Sequence, residues 1–149
     1  WTDPVTPEFG VYRLCWCGLG WDCSSDFKLD AGQLRIVGID PGQARHCHVQ
    51  AGCRIDDLTG AGLRTGDLMQ VFANTCGSGG AKVPGWPQQG LSEPATESGQ
   101  RFSWGLLQRV EAAPGNYRLC WCPSDHYSGC TTSSDFAVDA GQLQLRGPT

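Results

Sequence analysis

The side chains with the most chemistry to offer are nine cysteines in a chain of 149 residues. Cysteines can pair as disulfides, ligate metals or attack substrates, and so many in one short chain are typical of proteins that fold in an oxidising compartment. Six lie between residues 47 and 130, and the other three lie between residues 15 and 23. We favour pairing, which predicts a secreted, extracellular or cell-surface protein.

Two short clusters could bind a metal. The His-Cys-His run at 46–48 resembles a zinc ligand set, but on a strand the histidines point away from the cysteine, and no C-x-x-C pair accompanies them. Asp56, Asp57 and Asp67 flank a glycine-rich segment and could offer oxygens to calcium, although the DxDxDG loop is absent. Capping of turns is the simpler role for these carboxylates. We therefore expect no metal and no cofactor.

Several classes of protein are disfavoured by the rest of the sequence. It contains neither a GxSxG motif nor a phosphate-binding loop, so we predict that it is not an enzyme. The net charge is −4 and the only lysines are Lys28 and Lys82, which disfavours nucleic acid as a partner. No apolar run approaches the roughly 18 residues of a membrane span.

Internal repetition organises the chain. Three blocks recur in the same order: YRLCWC at 12–17 and 117–122, SSDF at 24–27 and 133–136, and DAGQL at 30–34 and 139–143. We therefore predict the end of one module at 1–33, a complete module at 34–142 and the first strand of a following module at 143–149. DAGQL runs directly into an apolar segment in both copies, so we expect an array without flexible linkers, which should be stiff.

Short β-strands are the elements that must position these groups. With 21 glycines, 9 prolines and 17% charged residues, the chain is not expected to be helical. Alternating apolar residues predict strands at 34–37, 45–50, 68–73, 102–106, 116–122 and 136–138, with a long surface loop at 77–100. Tyr117 follows a Pro-Gly turn and precedes a cysteine by three residues, which is close to the tyrosine corner of immunoglobulin domains. We predict an all-β fold of disulfide-stapled, immunoglobulin-like β-sandwich modules in tandem.

The repeat narrows the pairing of the cysteines. The three in the first copy match the last three in the second, so a local bond is expected after each Cys-Trp-Cys. The predicted bonds are Cys17–Cys23, Cys122–Cys130, Cys47–Cys120 and Cys53–Cys76. Cys15 is left for a partner outside the chain. A Cys53–Cys120 bond would overturn this scheme.

Three tryptophans are candidate contact residues. Trp16 and Trp121 lie between the two cysteines of each motif and should take the opposite face of the strand. They could contact a neighbouring chain or a sugar, but burial under the 77–100 loop or against the next module is favoured, because tryptophan is usually buried. Trp86 lies within that loop and is the candidate for binding a glycan. The Ser, Thr and Pro content of 87–99 would also suit O-linked sugar, as in a glycoprotein.

The repeated pattern resembles a known type of protein. A glycine two residues before YRLCWC, a further cysteine and then DFxVDAGxLxxxGP are matched at 115–122, 130 and 135–148, and in the first copy at 10–17, 23 and 26–38. Such strings resemble repeats of very large extracellular surface or filament proteins of protists, chiefly alveolates and some algae. The resemblance implies extracellular, immunoglobulin-like tandem modules that would suit flagellar hairs (mastigonemes), surface coats or other filaments.

Two functions follow as expectations. The first is a structural module of a secreted tandem-repeat protein that forms an extracellular filament or coat, with neighbouring modules and copies of the same protein as partners. The alternative is an adhesin or glycan-binding module that uses the 77–100 loop.

Overall fold

The computed structural model describes residues 8–148, and within them the chain is built from short β-strands without an α-helix. The strands are β1 (Gly10–Trp16), β2 (Leu29–Ile36), β3 (Gly38–Ile39), β4 (Arg45–His48), β5 (Arg54–Ile55), β6 (Gly60–Ala61), β7 (Leu68–Phe72), β8 (Phe102–Ser103), β9 (Gly115–Cys122) and β10 (Val138–Arg146). Short 3₁₀ helices lie at Gly77–Gly79, Pro87–Gly90, Glu97–Gly99 and Ser133–Asp135. The outer ends of two predicted segments, residues 1–7 and residue 149, lie outside the described residues.

The chain divides into two compact units, of which one ends at Val37 and the other begins at Gly38. The first unit is the antiparallel hairpin of β1 and β2, in which Leu34 lies opposite Tyr12. The module boundaries predicted at 33/34 and 142/143 are therefore corrected. DAGQL and the apolar residues after it form one continuous strand, and that strand pairs with the YRLCWC strand just before it.

The second unit is organised by a four-stranded sheet in the order β4-β10-β9-β7. The inner strand β9 is antiparallel to its neighbours β10 and β7, whereas β4 is parallel to the other inner strand, β10. Two-stranded ladders, β3 with β6 and β5 with β8, also lie in this unit. The all-β class agrees with the prediction, but an immunoglobulin-like sandwich is not confirmed, because the described residues do not give two opposed sheets of similar size.

Both faces of β9 are buried over its last four residues. Leu119 and Trp121 lie on one face and Cys120 and Cys122 on the other, and each is at most 1% exposed. A strand covered on both sides needs apolar side chains in succession, which explains the uninterrupted Leu-Cys-Trp-Cys run. The other large buried side chains of the unit include Phe72, Phe102, Trp104, Leu58, Met69, Leu143 and Leu145.

The predicted 77–100 loop is packed against the second unit rather than raised from its surface. Isolated bridges join Gln70 to Leu91 and Phe72 to Lys82, so the loop covers the free edge of β7. The Ser92 N–H donates to the Met69 carbonyl at 2.8 Å. A covered edge leaves no row of unpaired backbone groups open to another strand. The loop is therefore part of the fold of this unit.

Candidate functional site

The Cys-Trp-Cys segment of β9 is the covalent centre of the second unit. Cys120 is bonded to Cys76, just beyond β7, and Cys122 is bonded to Cys130, which closes the loop between β9 and β10. Both cysteines of β9 point to one face of the sheet, where Phe72 packs against them. The two disulfides link β9 to the segment after β7 and to the loop before β10.

The structure corrects half of the predicted disulfides. Cys17–Cys23 and Cys122–Cys130 are bonded as the repeat predicts. The predicted Cys47–Cys120 and Cys53–Cys76 bonds are wrong, because the structure contains Cys47–Cys53 and Cys76–Cys120.

Strand order explains this correction. Cys47 lies on β4, and β10 lies between β4 and the strand that holds Cys120. Two strand spacings amount to about 10 Å, beyond the roughly 7 Å that a disulfide spans between Cα atoms. One signal in the sequence was missed: Cys47 and Cys53 are separated by six residues, as are Cys17 and Cys23.

A tyrosine anchors the start of each YRLCWC strand. The Tyr117 hydroxyl donates to the Ala113 carbonyl at 2.6 Å, and the Tyr12 hydroxyl donates to the Glu8 carbonyl at 2.5 Å. Both bonds reach four residues back, as the hydroxyl of a tyrosine corner does. Burial raises the pKa of the Tyr117 phenol. The two copies therefore share this hydrogen bond as well as the YRLCWC sequence.

The DAGQL block forms the same bulge in both hairpins. The pairing shifts by one residue around the Asp-Ala-Gly sequence, and the glycines take positive φ values of +116° at Gly32 and +130° at Gly141. In each copy the aspartate two residues earlier accepts the glycine N–H at 2.8 Å. The same aspartates, Asp30 and Asp139, pair with the arginine of YRLCWC. Glycine and aspartate thus recur because the bulge requires both.

The three candidate tryptophans lie in different surroundings. Trp121 is 1% exposed and Trp86 is 4% exposed. Trp86 makes edge contacts with Trp104 and Tyr117 at centroid distances of 6.1 and 5.6 Å. Burial, which was the favoured prediction for Trp121, is what the structure shows, and Trp86 also belongs to the core rather than to a contact surface. Trp16, at 53%, is the exposed member of the three.

The acidic cluster proposed for calcium is engaged within the protein. Arg101 and Arg54 bind the Asp56 carboxylate, and the hydrogen bond from Arg101 is the main reason that the pKa of Asp56 is lowered. Asp67 is buried and accepts the N–H groups of Arg64 and Ser124 at 2.9 and 2.8 Å. Within residues 8–148 no group of three His, Cys, Asp or Glu side chains is arranged to hold a metal.

A shallow polar groove of about 340 Å³ crosses the open side of the sheet at β4, β10 and β9. His46, Asn116, Gln142, Gln144 and Arg146 are among its lining residues. These side chains lie on one face of the sheet, and the buried Cys47, Leu143 and Leu145 lie on the other face, because neighbours along a strand alternate between its faces. The sequence indicated His46 as a possible metal ligand. It did not indicate the groove, because the walls of the groove come from three separate segments of the chain.

A β-unit stapled by disulfides and closed by a recurring Cys-Trp-Cys hairpin defines a cysteine-rich repeat module. In agreement with that class, the chain is 30% identical over 159 residues to Cysteine repeat modular protein B of Toxoplasma gondii. The match covers 99% of this chain but only 2% of the relative's length. No protein-family model matches the chain, and no solved structure matches it significantly. Among the described residues, no helix has the length and apolar character to cross a membrane.

Proposed function

We propose that this chain is a structural module of a secreted cysteine-rich repeat protein that forms a filament or coat at the cell surface, such as a flagellar hair. The proposal assigns it no catalytic activity. Its main support is the junction between the units: β2 ends at Ile36 and β3 begins at Gly38, so Val37 alone separates them. A one-residue junction leaves little freedom for bending. The four disulfides suit an oxidising compartment.

The same junction recurs in the sequence at the other end of the second unit. β10 ends at Arg146 and is followed by Gly147 and Pro148, which align with Gly38 and Ile39. Gly38 and Ile39 are both buried in the second unit as strand β3. A following module would therefore begin within the same number of residues. Repetition of this junction supports a stiff array.

The modules would be immunoglobulin-like in topology. The neighbours β7, β9 and β10 follow the C-F-G order of an immunoglobulin sheet, and the β5–β8 ladder corresponds to its B–E pair. Tyr117 at the start of β9 then takes the place of the tyrosine in strand F. The disulfide from β9 differs, because Cys120 is bonded just beyond β7 rather than to strand B.

Electron microscopy of the native multi-repeat protein tests the structural role. We expect rods with regularly spaced modules and little bending. A matched variant carries a Gly-Ser-Gly-Ser insertion after Val37, and it should bend at the insertion and nowhere else. Wild-type particles that resemble flexible beads on a string would overturn the proposal.

A glycan-binding role is the second candidate, and the polar groove favours it. Side-chain amides and cationic groups suit the hydroxyl and carboxylate groups of sugars, and here they line one concave surface. This surface replaces the 77–100 loop, because Trp86 is buried. A glycan array should show saturable binding that is lost in Arg146→Ala and retained in Leu107→Ala, which changes an exposed side chain outside the groove. An array without binding would exclude this role for the glycans tested.

A further inference from the structure

We propose that the first hairpin, formed by β1 and β2, is the docking surface for a polypeptide segment built like residues 45–76. Within that segment, the counterpart of Cys76 forms a disulfide with Cys15, and the two thiols give up two electrons and two protons to a protein or small-molecule disulfide of the oxidising compartment, which is reduced to two thiols. The inference rests on the proposed tandem-repeat function, because the segment would belong to a preceding repeat of the same protein.

The difference in exposure between the two hairpins locates this surface. In the second hairpin, formed by β9 and β10, Cys120 is 0% exposed and Phe136 is 3% exposed. Their counterparts in the first hairpin, Cys15 and Phe27, are exposed, Phe27 to 54%. Among residues 8–148, Cys15 is the one cysteine without a disulfide. Apolar groups at matching positions are thus covered in one copy and open in the other.

The second unit shows what covers such a hairpin. Strand β7 pairs with the edge of β9 that β10 does not occupy, and it places Gln70 opposite Cys120 and Leu68 opposite Cys122. Phe72 and Leu68 pack against Cys120 and Cys122 on the same face. Cys76 follows four residues after β7 and bonds Cys120. The occupant of the first hairpin therefore needs a strand, two apolar side chains and a cysteine in this order.

The other edge of the hairpin specifies a second strand. In the second unit, β4 runs parallel to β10 with Cys47 beside Leu145. The counterpart of Leu145 is Ile36, which is the last residue of β2. The preceding repeat should therefore place its own β4 beside β2, parallel to it. Unpaired backbone groups on both edges of a two-stranded hairpin favour this addition of strands.

A preceding repeat fits this surface better than a second copy of the same chain. In this chain the strands of the required kind, β4 and β7, are already paired with β10 and β9. A second copy would have to break its own sheet and the Cys76–Cys120 bond in order to supply them. A preceding repeat that has the first hairpin as its own closing hairpin would pair its β4 and β7 there in the first place, so no existing pairing would have to be broken.

Disulfide mapping of the native multi-repeat protein under non-reducing conditions tests the proposal directly. We expect the peptide containing Cys15 to be linked to a peptide of the preceding repeat, at a cysteine a few residues after the strand that corresponds to β7. A free Cys15 thiol in the native protein, or a bond to a cysteine at any other position of the repeat, would overturn the proposal.

Thiol alkylation provides a second measurement that does not require a variant to fold. Cys15 should react freely in the 149-residue chain and on the order of 100-fold more slowly, or not at all, in the multi-repeat protein. Equal rates would overturn the proposal.

In the multi-repeat protein, Cys15→Ser should release one new thiol in the preceding repeat, whereas the control Cys17→Ser should release only that of Cys23.

The outcome is separable from that of the proposed function. Rods by microscopy with a free Cys15 would reject the docking surface and leave the structural role standing. The expected Cys15 bond in a protein that resembles a flexible string of beads would support the docking surface and reject the structural role.

Discussion

Trp16 and Trp121 occupy the same position in two hairpins of the same sequence pattern, yet 53% of one is exposed and 1% of the other. Both hairpins have the tyrosine anchor, the Asp-Gly bulge and a disulfide-closed loop after the motif. The backbone of the hairpin is therefore a local property of YRLCWC and DAGQL. Burial of its side chains is not, because it depends on strands that lie dozens of residues away.

The contrast assigns two tasks to one motif. The tyrosine, arginine, aspartate and glycine shape the hairpin from within, and they do so in both copies. The first cysteine and the tryptophan face other elements and acquire their partners only when those elements are present, whereas the second cysteine bonds within its own hairpin in both copies. Substitutions at matched positions of the two hairpins should therefore differ in effect wherever the second task is involved.

The largest difference should come from the tryptophans. Trp121→Ala should lower the free energy of unfolding of the second unit by up to about 5 kcal/mol, because it leaves a large cavity in a buried sheet. Trp16→Ala in the 149-residue chain should change it by less than about 0.5 kcal/mol. Urea unfolding followed by far-ultraviolet circular dichroism measures both. Similar losses in the two variants would refute the comparison.

The long disulfide should come next. Replacing Cys76 and Cys120 together by alanine opens a bond with a sequence separation of 44, and the chain-entropy relation gives a loss of about 4 kcal/mol. The control replaces Cys17 and Cys23, whose bond spans only six residues of the first unit. Calorimetry should show a lower Tm of the second unit in the first variant alone. A lower Tm of that unit in the control would contradict the division into two units.

The bulge glycines allow a subtler comparison. An alanine Cβ at Gly141 would overlap the backbone of Gln43, whereas at Gly32 no atom lies within 4 Å. Both positions have positive φ, so Gly32→Ala should cost about 1 kcal/mol from strain, and Gly141→Ala about 3 kcal/mol from strain and overlap together. Hydrogen exchange of the amides in each hairpin reports the two losses. Equal losses would mean that backbone strain alone decides the effect.

The smallest effect concerns pH. Hydrogen bonds from the Thr132 N–H, from Ser128 and from the Thr131 N–H hold the pKa of Asp135 well below its usual range. Because this pKa is lowered by folding, the stabilisation is present above the unfolded pKa of about 4 and is lost as the pH falls through the lower folded value.

Asp135→Asn should therefore flatten the fall in Tm of the second unit below about pH 4. The counterpart Asp26 contacts the exposed Lys28 at 3.0 Å and caps no such loop, so Asp26→Asn is the matched control. Calorimetry at a series of pH values makes the measurement. An unchanged pH profile in Asp135→Asn would show that the loop does not depend on this carboxylate.

The sequence was most informative where structure is local. The repeat predicted the two disulfides that follow Cys-Trp-Cys, because the cysteines of each lie only six and eight residues apart. Strands at 45–50, 68–73 and 116–122 contain β4, β7 and β9 nearly in full. The strand expected at 102–106 shrank to Phe102–Ser103, since Gly105, two residues after its end, takes a positive φ of +85°.

The Cys76–Cys120 disulfide could not be predicted in the same way. The partner of Cys120 depends on which strands are neighbours, and the order β4-β10-β9-β7 is not visible in the spacing of the cysteines. Trp86 was assigned to the surface because Gly and Pro surround it. In the structure its loop folds back along β7 and buries it. The walls of the polar groove likewise meet only after the strands have paired.

The sequence by itself determined the all-β class, the recurrence of the closing hairpin and the local disulfides, because turns, bulges and short loops depend on residues within reach of one another. Tertiary structure alone decided the unit boundary after Val37, the partner of Cys120, and which tryptophans are buried. These depend on strand order and on what packs against each face. Two identical motifs can therefore have opposite surroundings, as Cys15 and Cys120 do.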